Sequence, residues 1–444
     1  MTKTILLLGA GKSALNLISY LADNSQKLEI EIKLISDKTP EYINEIKNIK
    51  FLKIDISDNT QISKQINGAF IVVSLLPPSL HYKVALMCLE YSVNMITASY
   101  LDDNIKSLDK KFKKKSCFLF MEMGLDPGID HLSAKKVIDN LNKKGKIMSF
   151  ESYTGGLMKK DDKNPWGYKF TWNPMNVIKA GLDGAKYLKN GDLINIPYEK
   201  VFSDLKKIQL SKSKTYEGYP NRDSLKYKNF YGLENINTLI RGTLRHPGFC
   251  KAWNILINLG LTDDSRFFQK EGEVSYFDFF KHKIDPESYE SVINYIIEMF
   301  SIDKNSQALK NLSWSNFFSK KKISLMNKKP SEVLLEILKE NWSLERHDID
   351  LVVMYHSFLY REKNNLKRVE SFMSLEGISN YDTAMSKTVG LPIALLIETI
   401  IIKNLKFKGV LLPFEKNLYD PLLQKLNNNG IVFENRTTKI QNYP

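Results

Sequence analysis

The first third of the chain alternates short apolar runs with amphipathic segments, and this alternation limits the possible folds more than any other feature. The apolar runs that resemble buried strands are Thr4–Leu8, Glu31–Ile35, Phe51–Ile54, Ala69–Leu75, Asn94–Thr97 and Cys117–Met121. Helical periodicity appears between them, most clearly in Ser13–Leu21 and His81–Tyr91. Such alternation is typical of βα units around a parallel sheet. The sequence therefore predicts an N-terminal α/β domain.

A glycine motif follows the first predicted strand and opens the first helix. It has the pattern GxGxxA, and the residues expected to contact a nucleotide are Gly9, Gly11, Lys12, Ser13 and Ala14. In this motif the first glycine makes a tight turn, the second lets the backbone approach a pyrophosphate, and the small final residue allows close packing of helix on strand. The N–H groups at the helix start bind the phosphates. The motif predicts a Rossmann dinucleotide-binding domain.

An acidic residue, Asp37, follows the second predicted strand. A carboxylate at this spacing accepts hydrogen bonds from the adenosine ribose and repels a 2′-phosphate. Asp37 therefore favours NAD as the cofactor. Lys33 and Lys38 lie nearby and keep NADP as the alternative, and Asp37 also fits the start of an ordinary turn.

Other loops are expected to complete the nucleotide site. Leu75, Leu76 and Pro77 end the fourth predicted strand, where a backbone turn would flank the nicotinamide ribose. Leu125, in a later loop, is assigned to the same site. The alternative for the proline-rich turn is a stiff loop that binds no ligand.

The loop from Gly124 to His131 follows the sixth predicted strand and contains two carboxylates, two glycines and a proline. Ligands of open parallel sheets bind outside the carboxyl ends of the strands, which favours a chemical role for this loop. The alternative is an ordinary turn into a helix that begins at His131, with Asp130 as its N-terminal cap.

Composition narrows the class of protein. The chain has 444 residues, a formal net charge of +14 and three cysteines, Cys88, Cys117 and Cys250, without a paired spacing. Sparse cysteines favour a reducing compartment, and we expect a cytoplasmic protein. The lysines are scattered among acidic residues without a nucleic-acid-binding motif, so no nucleic acid is expected as partner. The six histidines lack a metal-binding spacing, so no metal site is expected.

The rhythm changes near residue 147. Strand-like pieces are Ile147–Thr154, Lys169–Trp172 and Asp350–His356, and helical pieces are Tyr289–Phe300, Ser331–Asn341, Thr383–Ile402 and Asp420–Asn428. The strands suggest a second, mixed domain in which antiparallel pairing dominates. The apolar stretch Val389–Ile402 is interrupted by Pro392 and Glu398 and is short for a membrane span, so we expect a buried helix and no membrane partner.

Several motifs in a fixed order go beyond these general patterns. They are Thr97–Tyr100, Gly124–His131, Ser152–Leu157, Tyr168–Trp172, Gly218–Ser224, Arg241–Arg245 and the late segment Thr383–Pro392. Together they resemble the saccharopine dehydrogenase family of the L-glutamate-forming type, also called saccharopine reductase, along nearly the whole chain.

The resemblance implies three domains and a homodimer. We expect a Rossmann domain at 1–130, completed by C-terminal helices within 385–444. A mixed α/β domain for substrate binding and dimerisation is expected at 131–255 and 345–384, and a small helical domain at 256–344. The implied reaction interconverts saccharopine with L-glutamate and 2-aminoadipate 6-semialdehyde by hydride transfer between NAD(P) and a secondary amine, within lysine metabolism.

The resemblance also implies the substrate contacts. The expected substrate-binding residues are Ser99, Tyr100, Asp126, Thr154, Arg222, Arg241, Thr243 and Arg245. Saccharopine carries three carboxylates, and arginine binds carboxylates through paired hydrogen bonds. A surface or interdomain salt bridge is the alternative for each arginine. The family often has cysteine where this chain has Thr154, which argues against an obligatory thiol there.

Proton transfer near the secondary amine needs a further group. Asp126 and Tyr100 are the catalytic candidates; His131 is a third, although packing is its preferred role, as it is for His81, His246 and His356. Two other functions stay open. One is a related condensing reductase that acts on another amino acid or on a carboxynorspermidine-like substrate, and the other is a nucleotide sensor or basic nucleic-acid-binding protein without catalysis.

Overall fold

The computed structural model describes residues 2–160, 163–212, 214–268 and 272–440. The chain divides into two compact units. Unit 1 runs to Lys144 and also contains Met373–Glu434, whereas unit 2 contains Gly145–Phe372 and the chain from Asn435 onward. Residues 256–344 of the expected helical domain lie within unit 2. The expected three-domain division stays a prediction.

Strands occur in both units. The described strands are β1 (Lys3–Leu8), β2 (Ile30–Ser36), β3 (Lys50–Lys53), β4 (Ile71–Ser74), β5 (Asn94–Thr97), β6 (Phe118–Phe120), β7 (Lys146–Met158), β8 (Ala185–Lys189), β9 (Asp192–Ile196), β10 (Lys206–Gln209), β11 (Thr215–Pro220), β12 (Arg222–Asp223), β13 (Thr238–Arg245), β14 (Glu273–Ser275), β15 (Lys322–Ser324), β16 (Asp350–Glu362), β17 (Asn365–Glu376), β18 (Gly409–Leu411) and β19 (Glu434–Ile440).

Helices connect most of these strands, and two short 3-10 helices cover Glu41–Glu45 and Ser224–Tyr227. The described α-helices are α1 (Leu15–Asp23), α2 (Ser25–Leu28), α3 (Asn59–Ile66), α4 (Pro78–Tyr91), α5 (Asp103–Ser107), α6 (Asp109–Lys114), α7 (Ile129–Asn142), α8 (Pro174–Ile178), α9 (Tyr198–Val201), α10 (Lys228–Tyr231), α11 (Phe249–Asn258), α12 (Tyr276–Phe280), α13 (Tyr289–Phe300), α14 (Gln307–Trp314), α15 (Pro330–Trp342), α16 (Ala384–Lys403) and α17 (Lys416–Asn428).

The sheet of unit 1 is parallel, with the strand order β18-β6-β5-β4-β1-β2-β3. The run β6-β5-β4-β1-β2-β3 is the doubly wound order of dinucleotide-binding domains. Residues Ile5 to Leu8 of β1 are completely buried, as expected for a central strand covered on both faces. The prediction of an N-terminal Rossmann fold is confirmed, and its switch point lies between β1 and β4.

The C-terminal part of unit 1 packs on this sheet domain. Helix α16 contacts α1 closely, because a Cβ atom at Gly390 would lie 2.8 Å from the backbone nitrogen of Leu17. A side-chain hydrogen bond from Asn16 Nδ2 to Asp382 Oδ1, 2.9 Å long, fixes the start of the same contact. Although α16 is long and apolar enough to cross a membrane, 78% of its most apolar window is buried inside the protein. The prediction of a buried helix is confirmed.

The sheet of unit 2 is mixed, with the strand order β10-β11-β13-β7-β16-β17-β19 and with β8, β9 and β12 branching from it. Most of its described pairs are antiparallel, as predicted, but β13 pairs with β7 and β12 pairs with β8 in parallel. Strand β7 lies between β13 and β16. The centre of this sheet is therefore made of three strands that are far apart in the sequence.

The strand predicted at Lys169–Trp172 is wrong, because these residues are outside the described strands. The Phe170 N–H donates to the Trp342 carbonyl over 2.7 Å, and the Lys169 ammonium pairs with Asp348 at 2.8 Å. Tyr168 and Phe170 are buried against Trp342 in the aromatic core of the helical part of unit 2. The apolar residues that suggested a strand serve this packing instead.

Candidate active site

The glycine motif forms a tight turn between β1 and α1. Gly9 has φ +100°, a conformation that side chains disfavour, and a Cβ atom there would lie 3.1 Å from the carbonyl oxygen of Leu75. The Ala14 N–H donates to the Gly11 carbonyl over 3.0 Å, so α1 begins at Leu15 rather than at the predicted Ser13. This turn is the connection that a dinucleotide-binding motif requires.

The start of α1 has the features needed to hold a pyrophosphate. A Cβ atom at Gly11 would meet nothing within 4 Å, so the backbone here is open to close approach. Ala14, at the N-cap of α1, is buried, and Lys12 is exposed beside it. Desolvation lowers the pKa of the Lys12 amine. The open backbone, the helix start and the lysine together fit a nicotinamide dinucleotide.

The end of β2 carries the residue that was expected to select the cofactor. Asp37 is exposed and accepts a hydrogen bond from Ser36 Oγ at 3.3 Å. The Lys38 N–H also donates to Ser36 Oγ, at 3.4 Å, so the three residues form one small turn. Tyr42 was missed from the sequence; its hydroxyl donates to the Ala10 carbonyl over 3.3 Å, and burial raises the pKa of Tyr42 to about 12. Tyr42 thus braces the glycine turn.

The end of β4 lies beside the glycine turn. The Leu75 N–H donates to the Leu8 carbonyl over 2.9 Å, and Leu75 and Leu76 are half-buried, whereas Pro77 is exposed. The contact between Leu75 and Gly9 joins the two loops at the switch point of the sheet. The structure therefore brings these predicted nucleotide contacts together with the glycine motif.

The catalytic candidates Tyr100 and Asp126 are hydrogen-bonded to each other. The Tyr100 hydroxyl donates to Asp126 Oδ1 over 2.8 Å, and both residues are half-buried. Tyr100 follows β5 and Asp126 follows β6, so the pair lies at the carboxyl ends of neighbouring parallel strands. Leu125, assigned to the cofactor, is 5% exposed next to Asp126. The pair brings together a carboxylate, which can accept a proton, and a phenol, which can donate a hydrogen bond.

A buried group of three titratable side chains holds the loops of this pair. Glu122 Oε1 accepts from the Leu101 N–H at 2.9 Å, and Glu122 Oε2 lies 2.7 Å from His131 Nε2. His131 Nδ1 lies 3.6 Å from Asp130, whose Oδ1 accepts from the Gly128 N–H at 2.6 Å. All three side chains are almost fully buried. His131 is fully buried, as expected for the packing role that was preferred for it.

The loop between β6 and α7 depends on its two glycines. A Cβ atom at Gly128, where φ is +146°, would lie 2.0 Å from the Gly124 carbonyl oxygen, and one at Gly124 would lie 2.9 Å from Ala98 Cβ. Gly128 occupies the N-cap of α7, which begins at Ile129. The prediction of Asp130 as the cap of a helix from His131 is therefore wrong, because its carboxylate lies inside the first turn and accepts from Gly128.

In unit 2, candidate substrate-binding residues share one face of the sheet. We call it the polar face, because five of the six residues that define it are polar. Its residues form two adjacent rows across β13, β7 and β16, namely Thr243, Thr154 and Met354 in one row and Arg241, Ser152 and His356 in the next. Rows two residues apart point to the same face of a sheet. His356 Nδ1 lies 3.0 Å from Ser152 Oγ, and Thr243 Oγ1 accepts from Asn221 Nδ2 at 3.2 Å.

Thr154 stands out on the polar face. Its side chain is 5% exposed, and its hydroxyl has no hydrogen-bond partner within the described part of the chain. Buried hydroxyls without a partner are rare and ask for an explanation. A polar ligand atom at this position would satisfy the hydroxyl.

The three candidate arginines have different surroundings. Arg245 is 5% exposed, with its guanidinium 5.0 Å from the ring centres of Tyr168 and Phe249. Arg241 is 6% exposed and lies 4.4 Å from the ring centre of Tyr227. Arg222 is exposed and makes a 3.4 Å ion pair with the exposed Asp183. Exposed pairs of this kind contribute about 0–1 kcal/mol, so the pair with Asp183 costs little to break.

Two family models match the chain. The saccharopine dehydrogenase NADP binding domain matches residues 5–119, and the saccharopine dehydrogenase C-terminal domain matches residues 124–431. The second covers more than half of the chain. The chain belongs to the saccharopine dehydrogenase family. The family recognised from the motifs is thus confirmed, and unit 1 contains a nicotinamide-nucleotide-binding domain.

Relatives in the saccharopine dehydrogenase family match nearly the whole of this chain. Saccharopine dehydrogenase [NADP(+), L-glutamate-forming] of Schizosaccharomyces pombe is 30% identical over 97% of this chain and 98% of its own length. Alpha-aminoadipic semialdehyde synthase of Arabidopsis thaliana is 31% identical over 97% of this chain, which spans only 45% of that relative. The solved apo saccharopine dehydrogenase (L-Glu forming) of Saccharomyces cerevisiae has a TM-score of 0.86, with 28% identity over 98% of this chain and 100% of that one.

The family motifs contained more candidates than sequence reasoning selected from them. Ser152 and Asn221 lie inside the quoted motifs but were not assigned. Glu122 precedes the Gly124 loop, and its role depends on contacts with His131 and Leu101. His356 had no local signal, because its partner Ser152 is 204 residues away. The assignments of individual substrate and cofactor contacts stay predictions.

Proposed function

We propose that this chain is an NADP-dependent saccharopine dehydrogenase of the L-glutamate-forming type. The proposed reaction converts saccharopine, NADP⁺ and water into L-glutamate, 2-aminoadipate 6-semialdehyde, NADPH and a proton, and it is reversible. The observation that carries the proposal is the match with the Schizosaccharomyces pombe enzyme over 97% of this chain and 98% of the relative. This chain and that enzyme align over nearly their full lengths, so the activity in the relative's name refers to a protein of the same extent.

Tyr100 and Asp126 are the proposed proton-handling pair. A bound nicotinamide nucleotide supplies the hydride acceptor for oxidation of the secondary amine. The amine must be neutral before it loses hydride, and Asp126 can accept its proton directly or through a water molecule. The Tyr100 hydroxyl, donating to Asp126 Oδ1, orients the carboxylate for this role. After Asp126 has released that proton to solvent, water attacks the imine carbon, and the carboxylate can then accept a proton from this water.

The substrate contacts are proposed for both units. In unit 1, Ser99 and Tyr100 follow β5. In unit 2, the Thr154 hydroxyl and the Thr243 region lie on the polar face, and Arg222 offers an exposed guanidinium. Arginine suits a carboxylate-rich substrate because its planar group makes two parallel hydrogen bonds. A polyamine substrate would instead favour acidic groups, so the arginines count against carboxynorspermidine.

NADP is proposed as the preferred cofactor, against the preference for NAD that Asp37 suggested. The NADP-binding family model and the fungal relatives named for NADP(+) support this choice. Asp37 is exposed, and the exposed Lys12 and Lys38 provide the positive charge that a 2′-phosphate needs. An exposed carboxylate between lysines repels a phosphate only weakly, since solvent and counter-charge screen it.

Turnover of saccharopine by the purified protein tests the proposal. We expect nicotinamide reduction with NADP at moderately alkaline pH, slower reduction with NAD, and L-glutamate among the products. Nucleotide binding without turnover of saccharopine would contradict the proposed substrate, and a panel with carboxynorspermidine would then identify a related condensing reductase. Faster turnover with NAD would contradict the proposed cofactor.

The Arg222→Ala variant tests the substrate contact. We expect the KM for saccharopine to rise by about tenfold or more, the loss of one charged contact, with unchanged nucleotide affinity. Arg346→Ala removes another exposed arginine of unit 2 and serves as the matched control. Equal kinetics for the two variants would exclude Arg222 as a carboxylate ligand.

A homodimer is proposed from the family resemblance, and a cytoplasmic location is proposed from the cysteine content. Light scattering on the purified protein measures the oligomeric state directly, and a monomeric mass would contradict the dimer. A fluorescent fusion in the source cell tests the location.

A further inference from the structure

His81, for which the sequence favoured a packing role, links two loops that the proposed function uses. The residue lies in the first turn of α4 and is 2% exposed. Its Nδ1 is 2.9 Å from the hydroxyl oxygen of Ser74, the last residue of β4. Its Nε2 is 2.6 Å from the hydroxyl oxygen of Ser99 and 3.3 Å from that of Thr97. The imidazole therefore joins the end of β4 to the substrate candidate that follows β5.

The ring is neutral at the pH where the enzyme would work. Burial lowers the pKa of His81 to about 4, and the nearby charge of Asp102 offsets this only in part. A neutral imidazole has one N–H donor and one acceptor nitrogen. Of the two serine hydroxyls on its opposite sides, one must therefore donate a hydrogen bond to the ring and the other must accept one from it.

The surroundings of Ser74 decide which nitrogen carries the proton. Ser74 is completely buried, and within the described ranges its hydroxyl has only His81 as a hydrogen-bond partner. The Thr97 hydroxyl is also buried and lies 3.3 Å from Nε2, so it competes with Ser74 to donate to the ring. A buried O–H group that donates to nothing is costly, and the shorter contact, 2.9 Å between Ser74 Oγ and Nδ1, favours Ser74 as the donor. The proton then lies on Nε2, which donates to Ser99 Oγ.

We propose that His81 is a positioning residue that makes Ser99 a hydrogen-bond donor to the substrate. Because Ser99 Oγ accepts from Nε2, the Ser99 O–H group stays available to donate outward, and its oxygen is fixed in place. A donor at this position suits a carboxylate oxygen of an amino-acid substrate. Cooperative polarisation along the chain from Ser74 through His81 to Ser99 strengthens that outward bond. This inference rests on the proposed function, in which Ser99 contacts the substrate.

Two substitutions separate positioning from packing. His81→Gln keeps an amide donor near the position of Nε2, whereas His81→Asn keeps an acceptor near Nδ1 but leaves Ser99 without a donor. We expect His81→Asn to raise the KM for saccharopine by about tenfold with unchanged nucleotide affinity, and His81→Gln to restore most of the loss. His347→Asn changes an exposed histidine and is the control. Equal losses in the Gln and Asn variants would overturn the proposal.

A double-mutant cycle with Ser99→Ala tests whether His81 acts through Ser99. We expect the double variant His81→Asn with Ser99→Ala to be no worse than Ser99→Ala alone. Fully additive losses would overturn the proposal, because they would mean that the two residues affect binding independently.

Nitrogen-15 NMR of the His81 ring provides a test that needs no turnover. We expect a neutral Nε2–H tautomer that does not titrate between pH 8 and about 5.5, since a group with a pKa about 4 stays neutral there. An Nδ1–H tautomer would overturn the proposal even in an active enzyme. The expected tautomer in a protein that fails to oxidise saccharopine would instead contradict the proposed function and leave the donor role of Ser99 standing.

Discussion

The candidate residues of the two units are built in different ways. In unit 1 they follow the ends of neighbouring parallel strands, each inside a short motif, and several are half-buried or exposed, such as Tyr100 and Asp126. In unit 2 the polar face lies in the middle of three strands, and most of its side chains are buried, with partners up to 204 residues apart.

This difference predicts what substitutions do. A half-buried or exposed residue at a strand end can change with less effect on the sheet, because part of its side chain lies outside the core. A residue on the polar face or beside it contributes to packing as well as to binding, so its removal changes stability and activity together. The loop glycines are the exception in unit 1, since backbone atoms fill the space where a side chain would be.

Gly128→Ala should have the largest effect. The new Cβ atom would lie 2.0 Å from the Gly124 carbonyl, and the backbone has φ +146°, so steric overlap adds to conformational strain. We expect a loss of about 4 kcal/mol, measured as a shift of the urea midpoint. Gly68→Ala is the matched control, because its φ is +88° but nothing lies within 4 Å; it should cost about 1 kcal/mol. Equal costs would show that the Gly124 loop relaxes freely.

Arg245→Ala, in unit 2, should have the second largest effect on stability. The guanidinium packs between aromatic rings of unit 2, and its loss leaves a cavity. We expect about 3 kcal/mol of destabilisation in urea. Arg245→Met fills the same space without a charge and should stay within about 1 kcal/mol of the native protein. A large loss in both variants would mean that the charge itself stabilises unit 2.

Glu398→Gln should have a smaller effect that depends on pH. Burial alone would raise the pKa of the Glu398 carboxyl, but Lys425 at 2.5 Å, Tyr20 and Lys27 outweigh burial and lower the pKa. The carboxylate therefore stabilises unit 1 above its unfolded pKa, and this contribution disappears as the pH falls through the lowered folded pKa. We expect Glu398→Gln to lose about 1 kcal/mol at pH 7 and nothing near pH 3. A difference that persists in acid would point to packing instead.

Thr154→Val should have the smallest effect on stability and a separate effect on activity. The substitution keeps the shape of the side chain and removes a buried hydroxyl that has no partner in the described residues. We expect unchanged or slightly higher stability, by up to about 1 kcal/mol, and a lower kcat/KM for saccharopine if the hydroxyl meets the substrate. Thermal unfolding and steady-state kinetics measure the two separately. Unchanged kinetics would contradict the prediction that Thr154 contacts the substrate and would indicate that this part of the polar face serves packing.

Local motifs predicted unit 1 well. The strands β1, β2, β4 and β5 lie where the alternation placed them, within about two residues, because each is a short apolar run between turn residues. The glycine turn, the Tyr100 and Asp126 loops and the buried α16 were also recognisable. The Lys169–Trp172 strand failed because the aromatic residues that favour strands equally favour a packed core.

The sequence by itself determined the parallel nucleotide-binding fold, the family and the positions of the loops at strand ends, because these depend on local spacing and periodicity. Only the tertiary structure decided which distant side chains meet. His81 contacts Ser74 at the end of β4 and Ser99 after β5, and His356 contacts Ser152 of β7. Strand pairing sets such contacts through the register of whole sheets, and no short stretch of sequence contains that register. Arg245 is buried between aromatic rings and Arg222 is exposed for the same reason, because packing and not residue type sets the exposure of each arginine.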